Sequence, residues 1–560
     1  MGEGFPRMGT KFKTTAGNGI KIFALVVSIL FVYDIKYFPV SFESISSGYY
    51  SLKVSRIQAT LEFLASKHFR GRRTGSPEED LTAAYLASVF QRNGLQPAPN
   101  TGGTYIQEFE LIHALPRAES HLKWKGVDQP VAELKIGEDF LPAPWGTESF
   151  EVAAEPVFVG YGIVAPELGY NDYSKISVKG KIAVTLSKTP EGSGHNRWDF
   201  YSQKDYDEPL QKALLAQSAG AAGFVVILPP NESIPSLETI NYKSAKVYLN
   251  SEVSQLRIPA VFVAYRAGER LFESQPTPIK LSEIQKQLDE SLRPHSISLH
   301  GNLAVAVSYE RKIFRGRNVL GYVPGVDPSL KEECLIIGAH HDHLGPGESG
   351  DIFYGADDDA SGTTGLLELA AAFSAGTLKP KRSILLAAWG AEELGLLGSR
   401  YYVQHPSFPL LQTITMLQMD MIGRNEERTA DPVNHIEEEK PLENTNTVSI
   451  AGSLFSPDVK RIIQSCNLRV NLKLRYRYDN GQENLLKRSD QWPFLESGIP
   501  SFFFFTGFHP DYHKTTDTAD KINFEKMERV LKLVYLTAWE IAESSSKPGF
   551  QLPPAKGKEL

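Results

Sequence analysis

From about residue 315 the chain alternates short apolar runs with helix-like ones: CLIIGA, GTTGLLELAAAF, SILLAAWG, ELGLLGSRYYV and TITMLQMDMIG. Strands that are apolar throughout suit a sheet covered on both faces, and the helical periods between them supply the covers. The pattern predicts an α/β fold, a mostly parallel sheet flanked by helices. Parallel neighbours are joined by crossovers, so their C-terminal ends gather on one edge, where open sheets of this kind hold their ligands.

The rest of the chain is organised around that block. Ile57, Leu61 and Leu64, then Leu81, Tyr85 and Val89, recur at helical spacing on either side of GRRTGSP, predicting two helices, the second ending at Gly94. Between about 150 and 290 the texture becomes β-rich, with EPVFVGYGIV, KGKIAVTL and FVVIL around a small-residue helix, KALLAQSAGAAG, as expected of an inserted domain. The expected divisions are an address segment at 1–45, the first part of the sheet domain at 50–135, the insert at 136–295, the main sheet domain at 296–545 and a tail at 546–560. The polar stretch from Glu426 to Glu443 reads as a surface excursion.

Arg7, Lys11, Lys13 and Lys21 precede an uncharged apolar run from Ile22 to Tyr33, the layout of an export signal. A helix of that length reaches only about 18 Å, short of a bilayer core of roughly 30 Å. A cleaved signal is favoured over a retained anchor; either places the remainder in the secreted, periplasmic or cell-envelope space, with membrane contact only if the segment stays. With 59 Lys+Arg against 66 Asp+Glu the chain is mildly acidic and has no basic run, which argues against nucleic acid as a partner. Nothing in the pattern specifies an oligomeric state.

Two cysteines, Cys334 and Cys466, cannot build a disulfide framework or a cysteine zinc site, so any metal must be held by His and carboxylates. Five such residues fall just beyond strand-like runs: His340, Asp358, Glu393, Asp420 and His513. His340 opens a His-His-Asp-His tetrad in which Asp342 could orient an imidazole; a surface histidine cluster is the plain alternative. Three consecutive acids, Asp357 to Asp359, repel one another unless a cation or a helix terminus neutralises them. Glu392 and Glu393 are expected at the start of a helix, their side chains diverging so that one can hold metal and the other face a water, as metal-assisted hydrolysis requires. Asp420 stands alone in MLQMDMIG and needs a partner, because an unpaired buried carboxylate is costly. Two imidazoles and three carboxylates suit a dinuclear site for zinc or a similar first-row ion.

In order, GAHHDHLG, DDDASG, AEELGLLGS, MDMIGR and HPDYHKTTDTADKI resemble the M28 family of zinc metallopeptidases, mostly aminopeptidases with a zinc-exopeptidase sandwich. VFVGYGIVAPELGYNDY, VKGKIAV and AGAAGFVVI resemble the protease-associated (PA) domain that members often carry as an insert. The resemblance implies two zinc ions, one held by His340 and Asp420, the other by Glu393 and His513. It makes Asp358 the bridge, although the residues alone leave Asp357 a rival. It further implies Glu392 as general base, Tyr512 as the donor steadying the oxyanion, and Asp342 and Asp517 as carboxylates orienting the ligands. In SDQWPF, Gln491 stands where the family often has His. The function implied is an exported dizinc aminopeptidase acting on peptides. The alternatives are a carboxypeptidase, for which Arg424 and Arg488 are the candidate basic groups, a glutaminyl cyclase on the same sheet, or a non-catalytic binding module. No G-x-S-x-G elbow or P-loop offers another chemistry.

Overall fold

A computed structural model describes residues 40–145, 149–190, 206–240, 246–430, 438–480 and 482–552. The expected export segment lies outside them. No helix among the described residues is long and apolar enough to cross a membrane.

The large sheet contains β1 (Ile106–Pro116), β2 (Val247–Leu249), β3 (Tyr309–Val323), β4 (Cys334–His340), β5 (Ser383–Trp389), β6 (Thr413–Met419), β7 (Thr447–Ala451) and β8 (Ser501–Phe505). Their order is β2-β1-β3-β5-β4-β6-β8-β7, followed by the short strand Lys473–Arg475. The centre, β5-β4-β6-β8, is parallel, and every residue of these four strands is buried, matching their largely apolar sequence. The strands on either side of this centre join it antiparallel, so the sheet is mixed. The insertion accounts for one flank: the chain leaves along β1 and returns along β3, and the two pair from Ile106↔Val319 to Tyr309↔Pro116 as a ribbon carrying the insert.

Helices cover both faces of the sheet. Helix α1 (Pro77–Arg92) opens with Ser76, whose hydroxyl accepts from the Glu79 amide, with Pro77 in the first turn and Glu78, Glu79 and Asp80 against the positive end of the helix dipole. Helices α2 (Ala360–Ser374) and α3 (Phe524–Glu543) are buried over most of their length and pack in the core with the parallel strands.

The inserted region contributes a six-stranded sheet whose inner strands, Pro156–Val159, Ile182–Leu186, Gly223–Ile227 and Ala260–Val263, run parallel. An antiparallel sheet of Val131–Leu134, His121–Lys125, Asn302–Val307 and Phe150–Ala154 packs beside it. One strand crosses over: β2, within the insert's sequence, pairs with β1 at the edge of the large sheet. The edge is thereby covered, and the insert is tied to the sheet by backbone hydrogen bonds.

Candidate metal centre

The parallel centre of the sheet brings the expected ligands together. His340 is the last residue of β4, Asp420 follows β6 directly, Glu392 and Glu393 lie just past β5, and His513 lies in the loop after β8. Asp358 sits in the turn leading into α2. Its Oδ1 is 3.1 Å from His340 Nε2 and its Oδ2 3.1 Å from His513 Nε2. His340 Nε2 is also 3.6 Å from Asp420 Oδ1, and His513 Nε2 is 3.1 Å from Glu393 Oε2.

The three consecutive aspartates diverge. Asp359 caps α2, accepting from the amides of Gly362 at 2.8 Å, His340 at 3.1 Å and Met421 at 3.2 Å. Asp357 accepts from the Gly423 amide at 2.7 Å and turns its other oxygen to His509, 3.2 Å away. Asp358 alone of the three faces both His340 and His513, and its Oδ2 has no hydrogen-bond donor. His340 with Asp359 and Asp420, and His343 with Asp358 and Glu393, form two groups compact enough to hold a metal ion. Because backbone amides already occupy the Asp359 oxygens, Asp358 is the better cation ligand of the two.

Glu392 and Glu393 do not begin a helix as expected; they lie in a turn, and the next helix starts at Leu397. Positive φ at Ala391, Gly395 and Leu396 makes the turn tight enough to bring both carboxylates back over the strand ends. Glu393 meets His513, while Glu392 Oε2 lies 4.0 Å from His340 and keeps 11% of its side-chain surface exposed, so water can reach it.

Electrostatically the site is a buried acidic pocket. Burial, then repulsion from Glu393, Asp490 and Asp420, pushes the Glu392 carboxyl well above the usual range. Asp358 goes the other way: burial opposes its charge, but His340, His343 and His513 hold it well below. Against the effect of burial, Asp358 and Glu393 raise the His513 imidazole to about 10. A field that draws protons onto imidazoles is one a divalent cation can neutralise in their place. With buried, undonated oxygens on Asp358 and Glu393, the donor set fits zinc.

The supporting residues come from far along the chain. Asp342 accepts from Thr74 Oγ1 at 2.8 Å and from the Glu392 amide at 3.1 Å, placing it behind His340 and under the Glu392 turn. Asp517 accepts from the amides of Asp357 and Asp358. Arg72, fully buried, donates to the carbonyls of Leu64, His341, Tyr354 and Gly355 and knits the ligand loops together. Ser489 donates to Asp420 Oδ2, and His343 Nδ1 approaches Glu393 Oε1 to 2.7 Å. Sequence reasoning missed Arg72, Thr74, His343 and Ser489; the local signals were GRRTGSP, read only as a break between helices, the tetrad holding His343, and the SDQWPF segment, read for Gln491 alone. Gln491 itself is buried and donates to the Leu486 carbonyl.

At the mouth, Tyr512 stacks on His513 with ring centroids 3.9 Å apart and receives a hydrogen bond from exposed Arg488 at 3.2 Å. Burial, then the Asp358 charge, raises the phenol and keeps its proton in place. Arg424 is engaged by Asp511 at 2.9 Å and lies 3.9 Å from Asp517. Glu426, expected on a surface excursion, is buried against Arg477 and Tyr478, because that segment folds back beside the β8 loop. Residues 431–437 of the excursion lie outside the described residues.

Residues 318–538 match the model of Peptidase family M28, and residues 152–271 match the PA domain. Leupeptin-inactivating enzyme 1 of Streptomyces exfoliatus is 32% identical over 208 residues, 37% of this chain and 39% of that protein. A probable zinc metalloprotease of Pyrenophora tritici-repentis is 30% identical over 245 residues, 39% of this chain and 55% of that one. The chain thus spans about two fifths and about half of these relatives. Aminopeptidase YwaD of Bacillus subtilis is 25% identical over 398 residues, 69% of each. Among solved structures, an aminopeptidase from Aneurinibacillus sp. strain AM-1 aligns over 91% of this chain and 98% of its own at 22% identity, with a TM-score of 0.46.

Proposed function

We propose that the protein, whose residues 318–538 match the model of Peptidase family M28 after a PA-domain match at 152–271, is an exported dizinc aminopeptidase that removes the N-terminal residue of peptides. The observation carrying the dinuclear reading is Asp358, whose two oxygens each lie 3.1 Å from a different imidazole, His340 and His513. In this reading His340 and Asp420 hold one ion, Glu393 and His513 the other, and Asp358 spans both. When bound, the metal pair would polarise the scissile carbonyl and make water more acidic.

The chain's own residues supply the rest. Glu392 Oε2 takes a proton from the attacking water and returns it to the leaving amine, as a carboxylate lying beside the ligands but not counted among them can. The Tyr512 hydroxyl donates to the oxygen that becomes negative as water adds. Asp342 and Asp517 hold the His340 and Asp358 segments in place. Arg424, one of the two groups that could serve a carboxypeptidase, is occupied by Asp511, which favours the aminopeptidase reading. The division of the chain into a sheet domain and an insert that shapes access to it belongs to the same proposal.

The test is to purify the protein, count its metals, and assay peptides with free and with acetylated N-termini. Two zinc per chain and cleavage of free-amine peptides alone are expected. Equal cleavage of the acetylated set would overturn the aminopeptidase reading, and a single tightly bound metal would overturn the dinuclear one.

A further inference from the structure

A cavity of about 700 Å³ is lined mostly by the insert, together with Ala114 and Pro116 of β1. Leu141 and Phe262 stand directly opposite each other in an antiparallel register on its wall. Phe262 meets Trp145 edge-on at 5.3 Å, and Ile234 and Tyr248 continue the apolar lining. Leu141 and Phe262 are only partly buried, so they present carbon surface to the cavity. A concavity of this size with a mostly apolar lining, to which the charged Lys188, Asp207, Glu208, Glu232, Lys246 and Lys487 also contribute, has the character of a binding site.

Its occupant follows from where the cavity ends. Lys487 also lines it, and the next two residues reach the metal centre: Arg488 donates to the Tyr512 hydroxyl and Ser489 to Asp420. The backbones of Lys487 and Ser489 are therefore at most about 7 Å apart, so one short segment contributes to both the cavity and the metal centre. Building on the aminopeptidase reading, we propose that this cavity receives apolar side chains of the peptide on the C-terminal side of the scissile bond. An enzyme that removes one N-terminal residue has a single side chain on the other side of that bond. A volume in the range that encloses drug-sized ligands is too large for one side chain and suits several. The substrates favoured are therefore peptides of several residues with apolar positions downstream, rather than dipeptides.

The experiment compares kcat/KM for Leu-Ala, Leu-Ala-Ala-Ala and Leu-Ala-Phe-Phe in the wild type and in Leu141→Glu and Phe262→Ser. The wild type is expected to prefer Leu-Ala-Phe-Phe over Leu-Ala-Ala-Ala by about tenfold or more, the scale a matched apolar pocket supplies, while both variants lose that preference and hydrolyse Leu-Ala within about twofold of wild type. Unchanged Leu-Ala turnover shows that the catalytic centre of each variant is intact. Acetyl-Phe-Phe-amide should inhibit cleavage of the tetrapeptides far more than cleavage of Leu-Ala. Dipeptide hydrolysis with no preference among the longer peptides, or a preference that survives both substitutions, would overturn this inference alone. No hydrolysis of any free-amine peptide by the zinc-loaded wild type would overturn the aminopeptidase reading and this inference with it.

Discussion

The hydroxyl of Ser489 donates a 2.7 Å hydrogen bond to Oδ2 of Asp420, leaving Oδ1 directed at His340. One oxygen is thus restrained by the protein while the other is free for a cation. Ser489→Ala should weaken metal binding by about 10–100-fold, the usual effect of removing a partner that orients a ligand, with little change in the metal-free fold. Competition with a chelator of known affinity measures it; unchanged affinity would mean that Asp420 needs no such restraint.

Glu392→Gln keeps the size of the side chain but cannot accept a proton. Metal content should remain at the wild-type level while kcat falls by at least about 10²-fold. Turnover near normal, measured on a peptide with a free amine, would remove Glu392 from the role of base.

Asp358 and Asp359 are neighbours with opposite duties, and substitution should separate them. Asp358→Ala should lower metal occupancy at both positions, read by elemental analysis, because each of its oxygens faces a different imidazole of the site. Asp359→Ala removes the acceptor for three backbone amides and the cap of α2, and should destabilise the metal-free protein by about 1–2 kcal/mol. Full metal occupancy in Asp358→Ala would move the bridge to another residue.

Arg72 is a structural cation. Arg72→Met retains bulk but removes the hydrogen bonds to four loop carbonyls, of which only that of Gly355 keeps another donor, the Ala360 amide, and should cost at least about 3 kcal/mol in a guanidinium titration. Wild-type stability in this variant would show that the ligand loops hold themselves together.

Glu540 on α3 predicts a pH dependence of stability. Burial raises its carboxyl from 4.5 to about 8. The folded state keeps this proton where the unfolded chain loses it, so the contribution is fully present below pH 4.5 and is lost as pH rises towards about 8. Glu540→Gln should therefore be more stable than wild type near pH 8, by about 1–2 kcal/mol once partial solvation is allowed for, with the difference vanishing below pH 4.5. Thermal unfolding across that range checks it; a difference independent of pH would assign the effect to packing.

Periodicity along the chain was enough to predict a sheet with a parallel centre, because a strand buried on both faces must be apolar throughout wherever its neighbours lie. The same pattern placed His340, Glu393, Asp420 and His513 at one edge, since parallel strands end together. It could not tell Asp357, Asp358 and Asp359 apart, because their directions depend on amides supplied by Gly423, Met421 and Gly362. Nor could it find Arg72, Thr74 and Ser489, whose partners at the centre lie far away in the chain: Thr74 and Asp342 are 268 residues apart, and Ser489 and Asp420 are 69. Ligand types and their order are local and follow from sequence. Which oxygen faces a cation, and which is already held by the protein, is decided only when the crossovers bring distant donors within hydrogen-bonding distance, because that interaction acts over about 3 Å and leaves no periodic trace along the chain.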